Sequence, residues 1–205
     1  MIIKHENSEI QAPNPDIEEV HPLGFFLPEN AKLLILGSFP PQRKRWSMDF
    51  YYPNFQNDFW RIMGLVFYND KEYFIKENKK TFDRDRAASF CYYKGIGMGD
   101  TAMNIIRLNN NASDKFLHIT KTFSPEKILR KIPECKAIAV TGAKAMEALL
   151  YLLDFSEPAV GNFSPCNINN REIMIYRMPS TSRAYPKPLN EKAEFYRKMF
   201  ESLEI

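Results

Sequence analysis

Cysteine and histidine are scarce in this chain, which has three of each among its 205 residues. Cys91, Cys135 and Cys166 are an odd number and stand far apart in the sequence. No C-x-x-C pair or Cys/His cluster has the spacing of a zinc or iron–sulfur site. The sequence therefore predicts a protein without disulfides, metal ions or cofactors.

Long hydrophobic runs are also missing. No apolar stretch approaches the roughly 18 residues that a membrane-spanning helix needs. The N-terminal stretch lacks the basic start and the apolar core of a signal peptide. Hydrophobic residues make up 44% of the chain and charged residues 26%, which is ordinary for a soluble globular protein. We expect a cytoplasmic protein that does not contact a membrane.

Several catalytic signatures are absent as well. The chain has no G-x-x-x-x-G-K-[ST] loop and no G-x-G-x-x-G between a strand and a helix, so the usual nucleotide-binding motifs are excluded. It has no G-x-S-x-G elbow, and its three histidines are as scattered as the cysteines. Hydrolysis by a Ser–His pair is therefore not expected.

What is present is a pattern of alternating strands and helices. Short apolar runs predict buried strands at 31–39 and 136–142 and a further strand at 171–178. The Gly-rich, apolar segment 95–104 is predicted to be a strand or a strand-like turn. Helical periodicity and caps predict helices at 57–68, 71–80, 83–94, 125–132, 143–155 and 190–203. This alternation predicts an α/β fold with a mostly parallel central sheet. In such folds ligands bind beyond the carboxyl ends of the strands.

The length of the chain predicts a single domain. Residues 1–30 are rich in Pro and Asn and only weakly periodic, so we expect an irregular N-terminal arm there. The domain itself is then expected over 31–205. Three segments should meet at the carboxyl ends of its strands, namely "GSFPP", "GIGMGD" and "MPSTSRAYP".

The segment after the first strand combines cations with aromatic rings. The net charge of +3 is mild, but "QRKR" at 42–45 is a tight basic cluster. Cations bind phosphates, and aromatic faces stack on a base that has left its helix. Asn57 could hydrogen-bond a base edge or a water molecule, or simply cap the helix that follows. Phe59 fits either a base-stacking ring or a core residue of that helix.

A second polar segment follows the last predicted strand. "PSTS" at 179–182 places three hydroxyl groups in a loop, where they could bind a phosphate or form a plain turn. Arg183 and Tyr185 come directly after, and two prolines then stiffen the chain. A stiff loop with a bulky tip could insert into a duplex from which a base has been extruded.

Four segments, in this order, resemble motifs of one family. They are "LGSFPP" from 36, "YYPNFQNDFW" at 51–60, "GIGMGDT" at 95–101 and "MPSTSRAY" at 178–185. The chain resembles the uracil-DNA glycosylase superfamily, and within it the hypoxanthine-DNA glycosylase-like branch. The resemblance runs from about residue 32 to the last helix.

This resemblance implies a fold and an activity. The implied fold is a three-layer α/β sandwich with a central four-stranded parallel sheet. The implied activity is that of a monofunctional DNA glycosylase, which flips a deaminated or damaged base, uracil or hypoxanthine, and removes it by hydrolysis in base-excision repair. The implied partner is DNA, most simply a duplex with a lesion. We expect no metal, no cofactor, no obligate protein partner, and a monomer.

The resemblance also implies roles for individual residues, which add to those suggested by the residues themselves. Asn57 matches the catalytic amide that orients water. The residues expected to contact the base are Gly37, Ser38, Phe39, Phe59 and Asp100. The residues expected to contact the DNA backbone or enter the duplex are Arg43, Lys44, Arg45, Ser180, Thr181, Ser182, Arg183 and Tyr185.

Other functions remain open at this point. Phe39 stands where many members of the superfamily carry Asp or Asn, and Pro41 stands where Gly is usual, which motivates a DNA-binding protein of the same fold with weakened catalysis. A hydrolase or transferase that acts on free nucleosides or nucleotides is a second alternative. A pure interaction module is the third, but it would leave the polar groups at three strand ends without a purpose.

Overall fold

The structure is a computed structural model that describes residues 17–107 and 117–205. Its strands are β1 Glu18–Val20, β2 Leu33–Gly37, β3 Ile96–Asp100, β4 Ala102–Arg107, β5 Leu117–Thr122, β6 Ala137–Thr141, β7 Phe163–Ile168 and β8 Arg171–Met178. Its α-helices are α1 Phe59–Tyr68, α2 Arg84–Lys94, α3 Pro125–Lys131, α4 Ala143–Leu152 and α5 Leu189–Ser202. A short 3₁₀ turn covers Arg43–Arg45. The predicted α/β class is confirmed.

The central sheet has five strands in the order β3-β2-β6-β8-β7. The first four are parallel, and β7 pairs antiparallel with β8. The expectation of a four-stranded parallel sheet is therefore corrected to a mixed, five-stranded one. The sequence concealed β7 because it is an edge strand with a proline and largely exposed side chains, not a continuous apolar run. Asn169 and Asn170, both with positive φ, form the hairpin turn into β8.

A second, three-stranded antiparallel sheet has the order β1-β4-β5 and was also not predicted. Its first strand belongs to the segment 1–30, where an irregular arm is expected. In the described part of that segment, residues 18–20 pair with β4, and Phe26 forms a bridge with Met98 of β3. The region just before β2 is thus attached to both sheets, and it brings His21 to the end of β3.

Helices cover both faces of the central sheet because β2 and β6 are apolar on both sides. Leu33 and Ile35 of β2 face the core formed with α1, α2 and α5. Leu34 and Leu36 face the core formed with α3 and α4. All four side chains are fully buried, and each such burial contributes about 1.5–3 kcal/mol. The result is the expected three-layer arrangement.

The ends of α2 and α3 follow the signals in the sequence. The Asp83 carboxylate accepts from Arg86 N at 3.1 Å, and Gly95 ends α2 with a φ of 65°. Ser124 caps α3, and Pro125 occupies its first turn. The helix predicted over 71–80 is wrong, since the segment forms successive turns. It is polar after Ile75 and contains Asn78 in a left-handed conformation, so it has no apolar face to support a helix.

The described residues include no helix that is long and apolar enough to cross a membrane. Cys91, Cys135 and Cys166 are buried, with free thiols. Burial raises the pKa of the Cys91 thiol, and it raises the pKa of Cys135 to about 11. Both thiols therefore stay protonated at neutral pH and act as small apolar side chains.

Candidate active site at the strand ends

An open cavity of about 900 Å³ lies at the carboxyl ends of the parallel strands. Each of the four strands contributes its last residue to the lining, namely Gly37, Asp100, Thr141 and Met178. The connection from β2 to α1 forms one wall, and the loop from β8 to α5 forms another. The three segments expected to converge from the sequence thus do meet here. A cavity at this edge is where open α/β sheets place their ligands.

Asn57 lines the cavity just before α1, and it is half-buried. Its Oδ1 accepts from Phe59 N at 2.8 Å, while the helix cap itself is Asp58. Because an amide N–H must face an acceptor, this bond fixes which end of the Asn57 side chain is oxygen. Oδ1 keeps a second lone pair and Nδ2 keeps both its hydrogens. The side chain can therefore both accept from and donate to a ligand.

Of the stacked pair Tyr52 and Phe59, only Tyr52 lines the cavity. Phe59 is 1% exposed and does not line the cavity. Its ring lies in the core and stacks on Tyr52 with centroids 3.9 Å apart and planes 8° apart. Tyr52 lines the cavity, and its hydroxyl lies 2.7 Å from Thr141 Oγ1. Phe59, the ring predicted to stack on a base, therefore lies in the core behind Tyr52 and supports the Tyr52 ring at the cavity.

Asp100 ends β3 and projects into the cavity beside Gly37. A Cβ at residue 37 would lie 2.3 Å from Asp100 Oδ1, so only glycine allows this approach of the carboxylate. On the other side, His21 Nε2 lies 2.8 Å from Asp100 Oδ2 and donates to it. The His21 side chain is 3% exposed. The orientation of the carboxylate is thus determined by two residues that precede it in the chain.

His21 is the residue of this site that the sequence did not reveal. Its Nδ1 lies near the backbone N–H and carbonyl of Leu23, which orients the ring. Tyr51 packs 6.2 Å from it and donates its hydroxyl to Gly24 O. Burial, with smaller contributions from the charge of Asp100 and from Tyr52, raises the pKa of Tyr51 well above its usual range, so that hydroxyl remains a donor. The local sequence carries no signal for the His21–Asp100 pair because the partners are 79 positions apart.

Ser38 and Phe39 also line the cavity, at its deeper end. They are 6% and 7% exposed. The Phe39 ring meets the edge of the His21 ring at 5.2 Å and packs in a small apolar cluster with Ala102 and Ile105. Phe39 therefore presents a hydrocarbon surface to the cavity. It does so at the sequence position where many members of the family that the motifs resemble carry an acid or an amide. It has no acid–base capacity to offer.

The hydroxyls of the loop after β8 are partly engaged in turns. Ser180 Oγ accepts from Ser182 N, and Ser182 Oγ accepts from Ala184 N, each at 3.2 Å. Thr181 is 3% exposed, and its carbonyl accepts from Asp58 N at 2.9 Å. All three residues line the cavity. As acceptors in these turns the two serine hydroxyls keep their O–H groups, which can still donate to a phosphate.

A buried ion pair joins this loop to the start of α1. Lys192 of α5 is 1% exposed, and its Nζ lies 3.0 Å from Asp58 Oδ2 and 2.8 Å from Ser182 O. Arg183 adds a longer contact to Asp58 Oδ1 at 3.4 Å. Asp58 is adjacent to Asn57, so this pair places the loop in register with the candidate catalytic amide.

The predicted DNA-binding residues lie in the cavity, outside it on the surface, or in a neighbouring groove. Arg45 and Tyr185 line the cavity, and Lys192 Nζ lies 5.8 Å from the Tyr185 ring. Arg43 does not line it, but forms an ion pair with Asp49 and lies over the Trp46 ring at 4.2 Å. Lys44 is exposed outside the cavity. Arg183 points away from the cavity into a neighbouring groove.

The chemistry available here is that of hydrogen bonding. The cavity offers an amide, a carboxylate with its histidine, an aromatic ring and hydroxyl groups. Within 17–107 and 117–205, no three His, Cys, Asp or Glu side chains are grouped in a way that could bind a metal ion. Such a set can orient water, recognise the edge of a planar heterocycle and stack on its face.

Comparison with known proteins gives one informative result. No protein-family model matches the chain. No curated protein matches it either. The chain is similar to a solution NMR structure from Methanosarcina acetivorans described as a "putative Uracil DNA glycosylase", with a TM-score of 0.60 and 24% sequence identity. The alignment covers 89% of this chain and 96% of the other. At this level of identity the similarity shows that the two chains share a fold.

Proposed function

We propose that the protein is a DNA glycosylase that binds an extruded base in the cavity and hydrolyses its bond to the sugar. One observation carries the proposal: Asn57, Tyr52 and Asp100 converge in one cavity, at the strand ends of a fold shared with the Methanosarcina protein. A volume of about 900 Å³ has room for a nucleotide. Two of the four motifs that resemble the uracil-DNA glycosylase superfamily supply these residues, and the four together favour its hypoxanthine-DNA glycosylase-like branch.

The reaction needs no strong base. The bond between C1′ and the base nitrogen breaks, and its electron pair leaves with the base. The sugar passes through a state resembling an oxocarbenium ion, and water then adds to C1′. The water gives up a proton to solvent, and the departing base gains one. Catalysis of such a step comes from positioning and from hydrogen bonds that strengthen as charge develops.

Asn57 is assigned to the water. Its Oδ1 lone pair that does not serve Phe59 N accepts a hydrogen from the water and aims the water oxygen at C1′. The backbone N–H groups near Ser38 and Phe39 are assigned to the carbonyl of the departing base. Tyr52 takes the stacking role that the sequence predicted for Phe59, because Tyr52 lines the cavity whereas Phe59 is buried against it in the core.

Asp100 is assigned to the edge of the base. Uracil and hypoxanthine each carry a ring N–H beside a carbonyl, whereas cytosine and adenine carry an unprotonated nitrogen at the same position. An ionised carboxylate accepts a hydrogen bond but cannot donate one. It therefore accepts from the ring N–H of a deaminated base, whereas the parent base presents an acceptor nitrogen that the carboxylate repels. His21 orients the carboxylate by donating to Oδ2.

The loop 180–185 and Arg45 are assigned to DNA. The serine hydroxyls and the Arg45 guanidinium can contact phosphates beside the extruded nucleotide. Tyr185, at the rim, is placed to fill the gap that the base leaves in the duplex. We propose that the protein acts in base-excision repair, as a monomer and without a metal or cofactor.

A base-release assay tests the proposal directly. Oligonucleotides with uracil, hypoxanthine or a mismatch, single- and double-stranded, are incubated with the protein and the products are scored for abasic sites. Asn57→Ala should lower the single-turnover rate by about 10²-fold or more, since one well-placed polar group contributes that much. Asn167→Ala, on the exposed edge strand β7, is the matched control and should cleave like the wild type. Equal rates for both variants would sink the assignment of Asn57.

Phe39 favours a second candidate, a DNA-binding protein of the same fold with weakened catalysis. An apolar ring stands at the deep end of the cavity, where an acid–base group would help. Tight binding of lesion DNA with no abasic product on any substrate would support this alternative. Release of base from free nucleosides but not from DNA would instead indicate a nucleoside hydrolase.

A further inference from the structure

A basic groove lies beside the cavity. It is lined by residues of the turns at 71–80 together with Phe55, Asp58, Arg61, Arg86, Arg183 and Leu189. Seven cationic side chains and three acidic ones line it, an excess of four positive charges. The whole chain has a net charge of only +3, so positive charge is concentrated in this groove. Such concentration is the electrostatic sign of an anionic ligand.

The lysines of the groove are available to a ligand. Lys71, Lys76, Lys79 and Lys80 are exposed, and among the described residues none of them forms an ion pair. By contrast, Lys192 is already engaged by Asp58. Unpaired ammonium groups on a concave surface cost little to desolvate partly against phosphates, and they release counterions when they do so.

The turns that carry these lysines are anchored to the domain. Phe74 is fully buried, and Ile75 forms a bridge with Phe82. Lys76 N donates to Thr81 O at 3.0 Å, and Lys79 N donates to Lys76 O at 3.2 Å. The cations are therefore presented from a structured platform, so less ordering is needed when a ligand binds.

The groove and the cavity share a dividing wall. Asn57 faces the cavity, and its neighbour Asp58 faces the groove. In the loop after β8, Ser182 and Ala184 face the cavity while Arg183 between them faces the groove. At the floor, burial and the charge of Arg183 both lower the pKa of Arg61, although Asp58 and Glu72 oppose this. Arg61 donates to backbone carbonyls and Arg183 contacts Asp58, so the exposed lysines are the cations that we expect to meet a ligand.

We propose that the basic groove binds the phosphodiester backbone of the DNA strand that continues past the nucleotide held in the cavity. This inference rests on the proposed function in that DNA is taken as the ligand. Arg45 contacts the DNA strand at the connection from β2 to α1, and Lys76, Lys79 and Lys80 contact it beyond Arg183. The groove contributes affinity and orientation, and it makes no contact with the reacting atoms.

The test compares two triple variants that carry the same change in net charge. The groove variant is Lys76→Ala, Lys79→Ala and Lys80→Ala. The control variant is Lys127→Ala, Lys131→Ala and Lys136→Ala, at exposed positions in and after α3, on the opposite face of the sheet. Fluorescence anisotropy measures the Kd for undamaged duplexes of about 8 and about 20 base pairs between about 50 and 200 mM salt, where counterion release is largest.

The groove variant should release about two to three fewer counterions when it binds DNA. Each phosphate contact contributes about 0.9 to the slope of log K against log salt concentration. The variant's Kd for the longer duplex at low salt should rise by about 10-fold or more, and its gain in affinity with duplex length should shrink. The control variant should match the wild type. A third variant, with Lys→Arg at the same three groove positions, keeps the charge and should retain the slope.

The outcomes separate this inference from the proposed function. If the groove and control variants show the same Kd and salt slope, the groove does not bind DNA, whatever the glycosylase assay gives. Binding of undamaged duplex is measured without catalysis, so a failed base-release assay leaves the test of the groove intact. Failure of the wild-type protein to bind DNA at low salt would overturn both.

Discussion

The segments 38–57 and 179–186 both line the cavity, but different forces anchor them. In 38–57, Tyr51 is 3% exposed, and its carbonyl accepts from the indole N–H of fully buried Trp60 at 3.0 Å. Stacked and edge-on rings surround this contact. In 179–186 the side chains are mostly polar or exposed, and the contacts with the domain are polar. Lys192 and Asp58 form a buried ion pair beside the loop, and the Tyr196 hydroxyl donates to Pro179 O at 3.0 Å.

This difference determines how strongly a single substitution destabilises each wall. Apolar packing is spread over many contacts, so a single substitution removes only part of it. A buried ion pair is concentrated in two groups, and removal of one leaves the other as an uncompensated charge. The loop 179–186 should therefore be the more easily displaced wall, although Lys192 is nearly as buried as Trp60.

The largest effect is expected from Asp58→Ala. Lys192 Nζ would be left buried with only Ser182 O as a partner, which should lower the free energy of unfolding by about 3–5 kcal/mol. Urea denaturation measures this change. The double variant Asp58→Ala with Lys192→Met, which removes both charges, should be less destabilised than Asp58→Ala alone. Additive losses would show that the two groups are not coupled.

The aromatic wall should respond less strongly to Trp60→Phe. This substitution keeps a ring but leaves Tyr51 O without its donor and opens a small void, a loss of about 1–3 kcal/mol in the free energy of unfolding. The molecules that remain folded should still release base at the normal rate, since the other contacts of the wall persist. A larger loss than that of Asp58→Ala would reverse the comparison.

Tyr52→Phe should have a smaller effect on stability. It removes the hydroxyl that contacts Thr141 Oγ1 and keeps the ring on Phe59, so a loss of about 0.5–1.5 kcal/mol is expected. Thermal denaturation measures it. Tyr52→Ala, which also removes the stacking surface, should in addition raise the KM for lesion DNA. If Tyr52→Ala leaves that KM unchanged, the ring does not stack on a base.

The smallest effect is expected from Arg43→Ala. Its ion pair with Asp49 is exposed at both ends, the two side chains being 63% and 70% accessible, and such pairs change stability by less than about 0.5–1 kcal/mol. Denaturation should barely distinguish the variant from the wild type. Arg45→Ala, from the same turn but inside the cavity lining, should weaken DNA binding more than Arg43→Ala does.

The sequence was sufficient where local patterns decide the structure. The strands β2, β6 and β8, the C-terminal cap Gly95 of α2 and the N-terminal cap Ser124 of α3 follow the predictions. The convergence of three segments at the strand ends followed from the parallel topology. The same topology places Asp100 at the cavity, whereas Asn57 was assigned to the site through the family resemblance.

The sequence was insufficient where a distant partner decides. Lys192 looks like any exposed lysine of an amphipathic helix, and only Asp58, 134 positions away, explains its burial. The same holds for His21 with Asp100. Helical spacing could not tell that Phe59 faces the core while Tyr52, in a left-handed conformation with a φ of 51°, turns its ring to the cavity.

The long separation of these pairs has a consequence for synthesis of the chain. The cavity needs His21 from near the beginning of the sequence and Lys192 from near its end. Contacts of such separation form only after the intervening loops have closed, which is slow compared with local helix formation. In a ribosome-bound chain that still lacks α5, Lys192 is missing, and the loop 179–186 cannot yet form its wall of the cavity. Binding competence should therefore appear only once α5 has formed, after the parallel sheet has already begun to assemble.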